Sequence, residues 1–291
     1  MDYYRLNDYL KKTFGCKVYK ISLDGGFTCP NRDGKLGTRG CIFCSGLGSG
    51  EFAQSRSLSV TEQIERGKEL VRKKLPQDSP VKYIAYFQAF TNTYAPVEVL
   101  RAKFTEAISH PEICALSVAT RPDCLEPEVL DLLSELNAIK PVWVELGLQT
   151  SNERTAEYIR RGYPLKVYDR AVAELKARNI LVVTHVILGL PGETREDMLN
   201  TVSYVVSAGS DGIKLQLLFV LKNTDLEKEY LAGKFKCLEF DEYLSILKDC
   251  VALLPKDMVV HRITGDPDKK LLVAPLWAAD KKRVLNAISH V

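Results

Sequence analysis

Short apolar runs alternate with longer amphipathic stretches along most of this 291-residue chain. The apolar runs predict strands at residues 17–23, 81–87, 114–119, 142–148, 180–188 and 212–220. The amphipathic stretches predict helices at residues 60–75, 97–109, 126–139, 151–161, 165–178, 196–207 and 239–254. This alternation indicates βαβ units on a parallel sheet, and right-handed crossovers would curl six such strands into a barrel or a partial barrel.

The predicted fold is therefore α/β, a partial (β/α)6 barrel of the TIM type with a short C-terminal extension. We expect an N-terminal helix within residues 1–15, the barrel in residues 16–222 and the extension in residues 223–291. The extension should pack on the barrel and help to form the substrate site. A chain of this length has room for one large domain with such an appendage.

The composition is that of an ordinary globular protein, with 46% hydrophobic and 26% charged residues. No apolar run approaches the roughly 18–20 residues of a transmembrane helix, and the N-terminus lacks the pattern of a signal peptide. Eight cysteines without a regular framework suit a reducing compartment. We therefore expect a cytoplasmic protein with no membrane partner. The net charge of +3 neither implies nor excludes a nucleic-acid partner.

Three cysteines, Cys29, Cys41 and Cys44, lie in one glycine-rich stretch after the first predicted strand. Three thiolates can hold three irons of a [4Fe–4S] cluster and leave the fourth iron open to an external chelator. Phe43 could supply an apolar face beside that iron. A zinc site is the alternative, because Cys41 and Cys44 have the spacing of half a zinc ribbon. Cys16 could be a fourth zinc ligand, although its isolation makes a closed site awkward.

Polar residues stand at or near the ends of several predicted strands, where barrel folds carry their functional groups. Glu145 interrupts an apolar strand, and a buried carboxylate needs a partner or a role. A structural ion pair would satisfy it equally well. His185 also interrupts an apolar strand, and the pattern alone favours a hydrogen-bonded core histidine there.

Four stretches resemble the motifs of radical S-adenosylmethionine (SAM) enzymes. The three-cysteine loop, with an aromatic residue before its last cysteine, resembles their signature, although eleven residues separate the first two cysteines where three are usual. Such a long gap is typical of the branch that resembles the Elongator catalytic subunit. Residues 145–151, 161–163 and 185–193 are similar, in order and spacing, to the E-x-G-x-Q-S, R-G-H and G-L-P-G-E motifs of Elongator-like and HemN-like members.

The resemblance implies that Cys29, Cys41 and Cys44 bind a [4Fe–4S] cluster and that the chain binds SAM. The residues that we expect at the SAM site are Phe43, Gln88, Thr91, Glu145, Gln149, Arg161, His185 and Gly189.

Particular SAM contacts follow from the same resemblance. Gln149 and Arg161 would reach the SAM, and His185 would contact its ribose. Gly189 would let the backbone approach the adenosine. The glycine-glycine-acid motif that usually follows strand two is absent, and residues 88–91 stand in its place.

Residues 86–94 and 274–277 extend the resemblance to the YtqA/YhcC-like family, over nearly the whole chain. One branch of that family, the MnmL group, is linked to the wobble uridine of tRNA. The resemblance therefore implies conversion of a carboxymethylaminomethyl side chain to aminomethyl. A 5′-deoxyadenosyl radical would start this reaction, with an electron from an external donor such as flavodoxin or ferredoxin. A radical SAM enzyme acting on a small metabolite and a zinc-stabilised binding protein are the alternatives.

A tRNA anticodon loop would have to present its base unstacked at the barrel mouth. Proteins that read single-stranded RNA generally do this with aromatic and basic side chains. The candidates for this contact lie near the C-terminus: Lys269, Lys270, Trp277, Lys281, Lys282 and Arg283. Charge alone fits an ordinary solvated helix at least as well.

Overall fold

The computed structural model describes residues 2–73, 75 and 80–290. Residue 1 of the predicted N-terminal segment, residue 74 of the predicted helix 60–75 and residue 291 of the predicted extension lie outside that description. The strands are β1 Lys17–Leu23, β2 Val81–Phe87, β3 Ile113–Thr120, β4 Val142–Gln149, β5 Leu181–Leu188, β6 Gly212–Leu217, β7 Val220–Leu221, β8 Val259–Arg262 and β9 Leu272–Ala274. Seven of them form a parallel sheet in the order β1-β2-β3-β4-β5-β6-β8, and β7 pairs with β9.

This curled parallel sheet with its helices confirms the predicted partial barrel, with one strand more than the six expected. The sequence pattern does not predict strand β8, because its four residues are too few to show a strand period. Strand β8 is defined by its pairing with a neighbouring strand instead. It lies beside β6, and the Val260 N–H donates to the Tyr4 carbonyl at 2.8 Å.

The helices pack on the outside of the sheet or at its two ends. They are α1 Leu6–Phe14, α2 Val60–Arg72, α3 Val97–Ser109, α4 Pro127–Asn137, α5 Glu153–Tyr158, α6 Leu165–Ala177, α7 Arg195–Ser207, α8 Asp225–Leu231, α9 Phe240–Ala252 and α10 Lys281–His290. Strand residues alternate between two faces. In β4, Val144 and Leu146 pack into the main apolar core, whereas Glu145, Gly147 and Gln149 line the barrel interior.

Helix α1 covers the N-terminal end of the barrel. Its residue Leu10 clusters with Val18 and Trp143, each near the start of its strand, and with Ile84 in the middle of β2. A cavity of about 670 Å³ lies at this end and is lined by none of the predicted site residues. The loops that follow the strands lie at the other end of the sheet.

The region after residue 222 contributes to the barrel as well as packing on it. Strand β8 completes the main sheet, and α9 packs on α7, where Arg195 pairs with Asp249. The predicted division at residue 222 stays a prediction. None of the described helices is both long and apolar enough to cross a membrane.

Candidate active site

A cavity of about 260 Å³ opens among the C-terminal ends of the strands and the loop that follows β1. Functional residues of barrel folds lie at this end. Most of the predicted site residues line it: Cys29, Cys41, Phe43, Cys44, Gln88, Thr91, Glu145, Gln149, Arg161 and His185. The fold therefore brings together residues that are far apart along the chain.

Side chains within the three-cysteine loop hold it in place. Asn31 Nδ2 donates to the Cys41 sulfur at 3.4 Å and to the Arg160 carbonyl at 2.7 Å. Arg32 Nη2 donates to the Cys44 carbonyl at 3.0 Å. These bonds tie the loop to itself and to the segment after β4, so that all three cysteines line one cavity.

The environment of the thiols fits metal binding. Burial raises the pKa of the Cys41 thiol, and it raises the pKa of the Cys44 thiol to about 12. Arg121 and Arg32 oppose these shifts only in part. Coordination to a metal deprotonates a thiol outright, so a cluster would supply the positive charge that the thiolates need. Three thiolates at one cavity fit a [4Fe–4S] cluster with one open iron.

Gln149 offers a buried acceptor to the same cavity. Its Oε1 is buried and has no hydrogen-bond partner among the residues that the structure describes. Its backbone has a φ of 70°, in the left-handed region that costs a non-glycine residue about 1–2 kcal/mol. A Cβ at Gly147 would lie 2.9 Å from Gln149 Nε2, so a glycine leaves room for this amide. An orphaned acceptor beside a cavity fits a ligand with N–H or O–H donors, such as SAM.

Glu145 is the centre of a buried polar cluster. Its carboxylate accepts from Ser117 Oγ at 2.6 Å and from His185 Nε2 at 2.7 Å, and it pairs with both Lys20 and Lys214. Burial would raise the pKa of Glu145, but the two lysines hold it well below its usual range. Burial lowers the pKa of His185 to about 4, so the ring is neutral near pH 7. The cluster thus contains the ion pair expected for a buried glutamate.

Sequence reasoning missed Lys20, Lys214 and Tyr86. The Lys214 ammonium donates to the Tyr86 hydroxyl at 3.1 Å. The Tyr86 ring centroid lies 4.7 Å from the Lys20 Nζ and 4.6 Å from the Lys214 Nζ. A weak signal was available, because each lysine is a charged residue within a predicted strand, although other polar residues such as Ser22 and Gln216 stand in the same strands.

Arg161 is 2% exposed, and its guanidinium is bound by the protein. Its Nε donates to the Tyr163 carbonyl at 3.0 Å, Nη1 to the Thr150 carbonyl at 2.6 Å and Nη2 to the Glu153 carboxylate at 2.7 Å. The side chain therefore fixes the segment that follows β4 at the edge of the cavity. Its contact with SAM stays a prediction.

Gln88 and Gly189 also have local structural roles. The Gln88 amide accepts from Ser22 Oγ at 2.8 Å and donates to the Ser49 carbonyl at 2.7 Å, which joins β2 to β1 and the loop. Gly189 has a φ of 88° and is not among the cavity-lining residues, and a Cβ there would lie 3.0 Å from Leu238. The predicted contacts of Gln88, Thr91 and Gly189 with the cofactor stay predictions.

The structure does not bring the substrate candidates to this cavity. Trp277 packs edge-on against Phe240, with ring centroids 5.2 Å apart, and its Nε1 donates to the Leu238 carbonyl at 3.1 Å. Arg283 lies over the same Phe240 ring, 4.4 Å from its centroid. The remaining candidates are exposed and outside the cavity lining: Lys269, Lys270, Lys281 and Lys282. Contact of these side chains with RNA stays a prediction.

Comparison with known proteins decides the family. The model of the radical SAM superfamily matches residues 34–205, more than half of the chain, and the model of the radical SAM C-terminal domain matches residues 210–290. The chain belongs to the radical SAM superfamily. It is therefore a radical SAM enzyme, and its cofactors are a [4Fe–4S] cluster and SAM. Membership of this superfamily excludes the alternative function, a zinc-stabilised binding protein.

Individual relatives agree with the predicted branch. The uncharacterized protein YtqA of Bacillus subtilis is 46% identical over 287 residues, which cover 99% of this chain and 88% of that protein. Protein YhcC of Escherichia coli is 38% identical over 273 residues, covering 94% and 86%. A tRNA uridine(34) acetyltransferase of Methanocaldococcus jannaschii is 28% identical over 175 residues, covering 59% and 31%. The solved Methanocaldococcus infernus Elp3 shares the fold at 17% identity, with a TM-score of 0.69, over 94% of this chain and 63% of that chain.

Proposed function

We propose that this enzyme converts the carboxymethylaminomethyl side chain of the tRNA wobble uridine to aminomethyl. One observation supports the radical chemistry: a single cavity joins the three cysteines to the orphaned Gln149 acceptor. The tRNA substrate is supported by the similarity to a tRNA uridine(34) acetyltransferase, together with the YtqA/YhcC resemblance.

The chain's own residues would bind and orient the reactants. Cys29, Cys41 and Cys44 would hold the cluster, and Gln149 would accept a hydrogen bond from SAM. Once bound, and with one electron from an external donor such as flavodoxin or ferredoxin, these cofactors would supply hydrogen abstraction at the glycine-derived carbon. Loss of a second electron to the same redox centre would leave an imine, and later hydrolysis of that imine would release the two-carbon unit as glyoxylate and leave the aminomethyl group. The protein's share is orientation of that carbon and exclusion of water and oxygen.

Apolar side chains of the cavity serve that exclusion. Phe43 lies on the cysteine loop, and Ile187 and Leu218 lie at the ends of β5 and β6; all three line the cavity. Ile187 and Leu218 are 8% and 3% exposed. Apolar surface beside the reacting groups limits side reactions of a reactive intermediate.

The test compares the wild-type protein with Cys41→Ala and Cys237→Ala after anaerobic reconstitution with iron and sulfide. Cys237 is a free thiol outside the cavity lining and serves as the matched control. We expect the wild type and Cys237→Ala to bind iron and to convert the wobble nucleoside of tRNA that carries the carboxymethylaminomethyl group, measured by mass spectrometry. Cys41→Ala should lose both. A wild type that cleaves SAM and leaves the tRNA unchanged would contradict the tRNA substrate.

A small metabolite is the second candidate substrate. It is favoured by the position of the basic substrate candidates, which lie outside the cavity lining. This function predicts the same iron binding and SAM cleavage, with a rate of 5′-deoxyadenosine formation that added tRNA does not change.

A further inference from the structure

The cavity interior holds more cationic side chains than carboxylates. Lys214 and Arg262 line the cavity, and Lys20, which lies outside the lining, pairs with Glu145 as Lys214 does. Arg262 stands beside Lys214 on the neighbouring strand. His185 adds no charge near pH 7, because burial lowers its pKa to about 4. Glu145 can offset only one of its two lysine partners, whereas Arg262 is exposed to solvent. Uncompensated charge away from water is costly, so the cluster is suited to bind an anion.

Lys214 is the cation best placed to meet that anion. Its side chain is 8% exposed and lines the cavity. The ammonium has three donors and uses them on Glu145 and the Tyr86 hydroxyl, which leaves one donor without an acceptor in the part of the chain that the structure describes. Burial lowers the pKa of Lys214 to about 7 against the opposing effect of Glu145, and a bound anion would favour the charged ammonium.

The backbone of Lys214 and the part of SAM that chelates iron belong to different levels of the barrel. Lys214 stands three residues before Leu217, the last residue of β6. With a rise of about 3.3 Å per residue, this is roughly 10 Å below the strand end. The three-cysteine loop follows the end of β1, so the open iron and its chelating groups belong at the rim of the barrel. An anion at Lys214 therefore comes from a second molecule in the cavity.

We propose that Lys214, assisted by Arg262, binds a carboxylate of the substrate, and that this is the carboxylate of the carboxymethylaminomethyl side chain. The identity of the substrate rests on the proposed function. The Tyr86 hydroxyl and the Glu145 carboxylate both contact the ammonium and thereby position it. The aminomethyl product lacks the carboxylate, so the same contact distinguishes substrate from product.

The experiment measures the affinity of unreduced, cluster-loaded protein for two anticodon stem-loop RNAs by fluorescence anisotropy. The RNAs differ only in carrying carboxymethylaminomethyl or aminomethyl at the wobble uridine. We expect the wild type to bind the first about tenfold more tightly, the effect of one charge-assisted hydrogen bond. Lys214→Met should remove this preference and leave the affinity for the aminomethyl RNA unchanged, whereas Lys214→Arg should retain part of it.

Two further variants test whether the lost preference is specific to the proposed contact. Lys248→Met, an exposed lysine on α9, should keep the full preference. Arg262 is exposed, so Arg262→Gln should leave the fold intact, and we expect it to reduce the preference. It therefore tests the contact even if Lys214→Met fails to fold. A full carboxylate preference in both Lys214→Met and Arg262→Gln would overturn the inference, as would weakened SAM binding without a change in RNA preference.

Product formation, measured in parallel with reduced protein, separates this inference from the proposed function. Conversion of the RNA by a wild type that binds both RNAs equally would overturn the carboxylate contact and keep the reaction. A preference that depends on Lys214, without any conversion, would keep the contact and contradict the reaction. Binding of neither RNA would overturn both.

Discussion

Glu145 keeps its charge in the barrel interior because two lysines accompany it. In Glu145→Gln, Lys20 and Lys214 would stay buried without their counter-ion. We expect the free energy of unfolding to fall by about 3–5 kcal/mol, the usual effect of removing one partner of a buried ion pair. Urea unfolding measures the difference, with Glu98→Gln, an exposed position on α3, as the control. Equal stabilities of wild type and Glu145→Gln would contradict the ion pairing.

Because the carboxyl of Glu193 has a raised pKa in the folded protein, we predict that stability depends on pH. Burial raises the pKa of its carboxyl to about 7, although Thr150 donates to it. The folded protein therefore holds this proton where the unfolded chain, with a pKa near 4.5, has lost it. The stabilisation is complete below about pH 4.5 and is lost as pH rises towards 7.

We accordingly expect the melting temperature of the wild type to fall between about pH 4.5 and pH 7 by more than that of Glu193→Gln. Thermal unfolding across this range checks it. Glu196→Gln, an exposed position in the first turn of α7, should follow the wild type. Parallel curves for the wild type and Glu193→Gln would show that the carboxyl is not protonated by folding.

Single residues of the site were predictable to different degrees. Glu145 and His185 stand out because each interrupts an apolar run, and the structure places them in hydrogen-bond contact. Lys20 and Lys214 carry a weaker signal, because other polar residues stand in their strands. Their partner Glu145 also lies on another strand, 125 and 69 positions away along the chain. Register across a sheet decides such contacts, and no local pattern contains it.

At the scale of elements, helix α7 shows how local sequence starts a helix. Thr194 Oγ1 accepts from the Asp197 N–H at 3.2 Å, and the Asp197 carboxylate accepts from the Thr194 N–H at 2.9 Å. Thr194→Ala should lower the free energy of unfolding by about 1 kcal/mol. Ser203→Ala, exposed in the middle of the same helix, should leave stability unchanged or slightly higher, because alanine is the better helix former. Urea unfolding that finds equal losses would contradict the capping role.

Long periodic elements were predictable, and short ones were not. Strands β1 and β2 have the predicted bounds, and the other predicted strands of the main sheet differ mainly at their ends. Strands β7 and β9 have two and three residues, too few to show a period, and they form because they pair with each other. Thr224 caps helix α8, because its hydroxyl accepts from the Glu227 N–H, but the seven residues of the helix lack a clear apolar stripe.

At the scale of the whole molecule, two distant segments meet at the cysteine loop. The Ile42 N–H donates to the Ile159 carbonyl at 3.3 Å, and the Leu226 N–H donates to the Ile42 carbonyl at 2.9 Å. Arg160 also pairs with Asp225. The loop is therefore held between the segment after β4 and helix α8, which the sequence could not place because neither contact is local.

The most direct test of the proposed reaction follows the hydrogen that is abstracted from the substrate. A tRNA whose glycine-derived methylene is deuterated is incubated with reduced, cluster-loaded protein and SAM, and the mass of the 5′-deoxyadenosine is determined. We predict that 5′-deoxyadenosine gains deuterium as the aminomethyl nucleoside forms, and that Cys41→Ala yields neither. Formation of 5′-deoxyadenosine without deuterium and without dependence on this tRNA would contradict the proposed reaction.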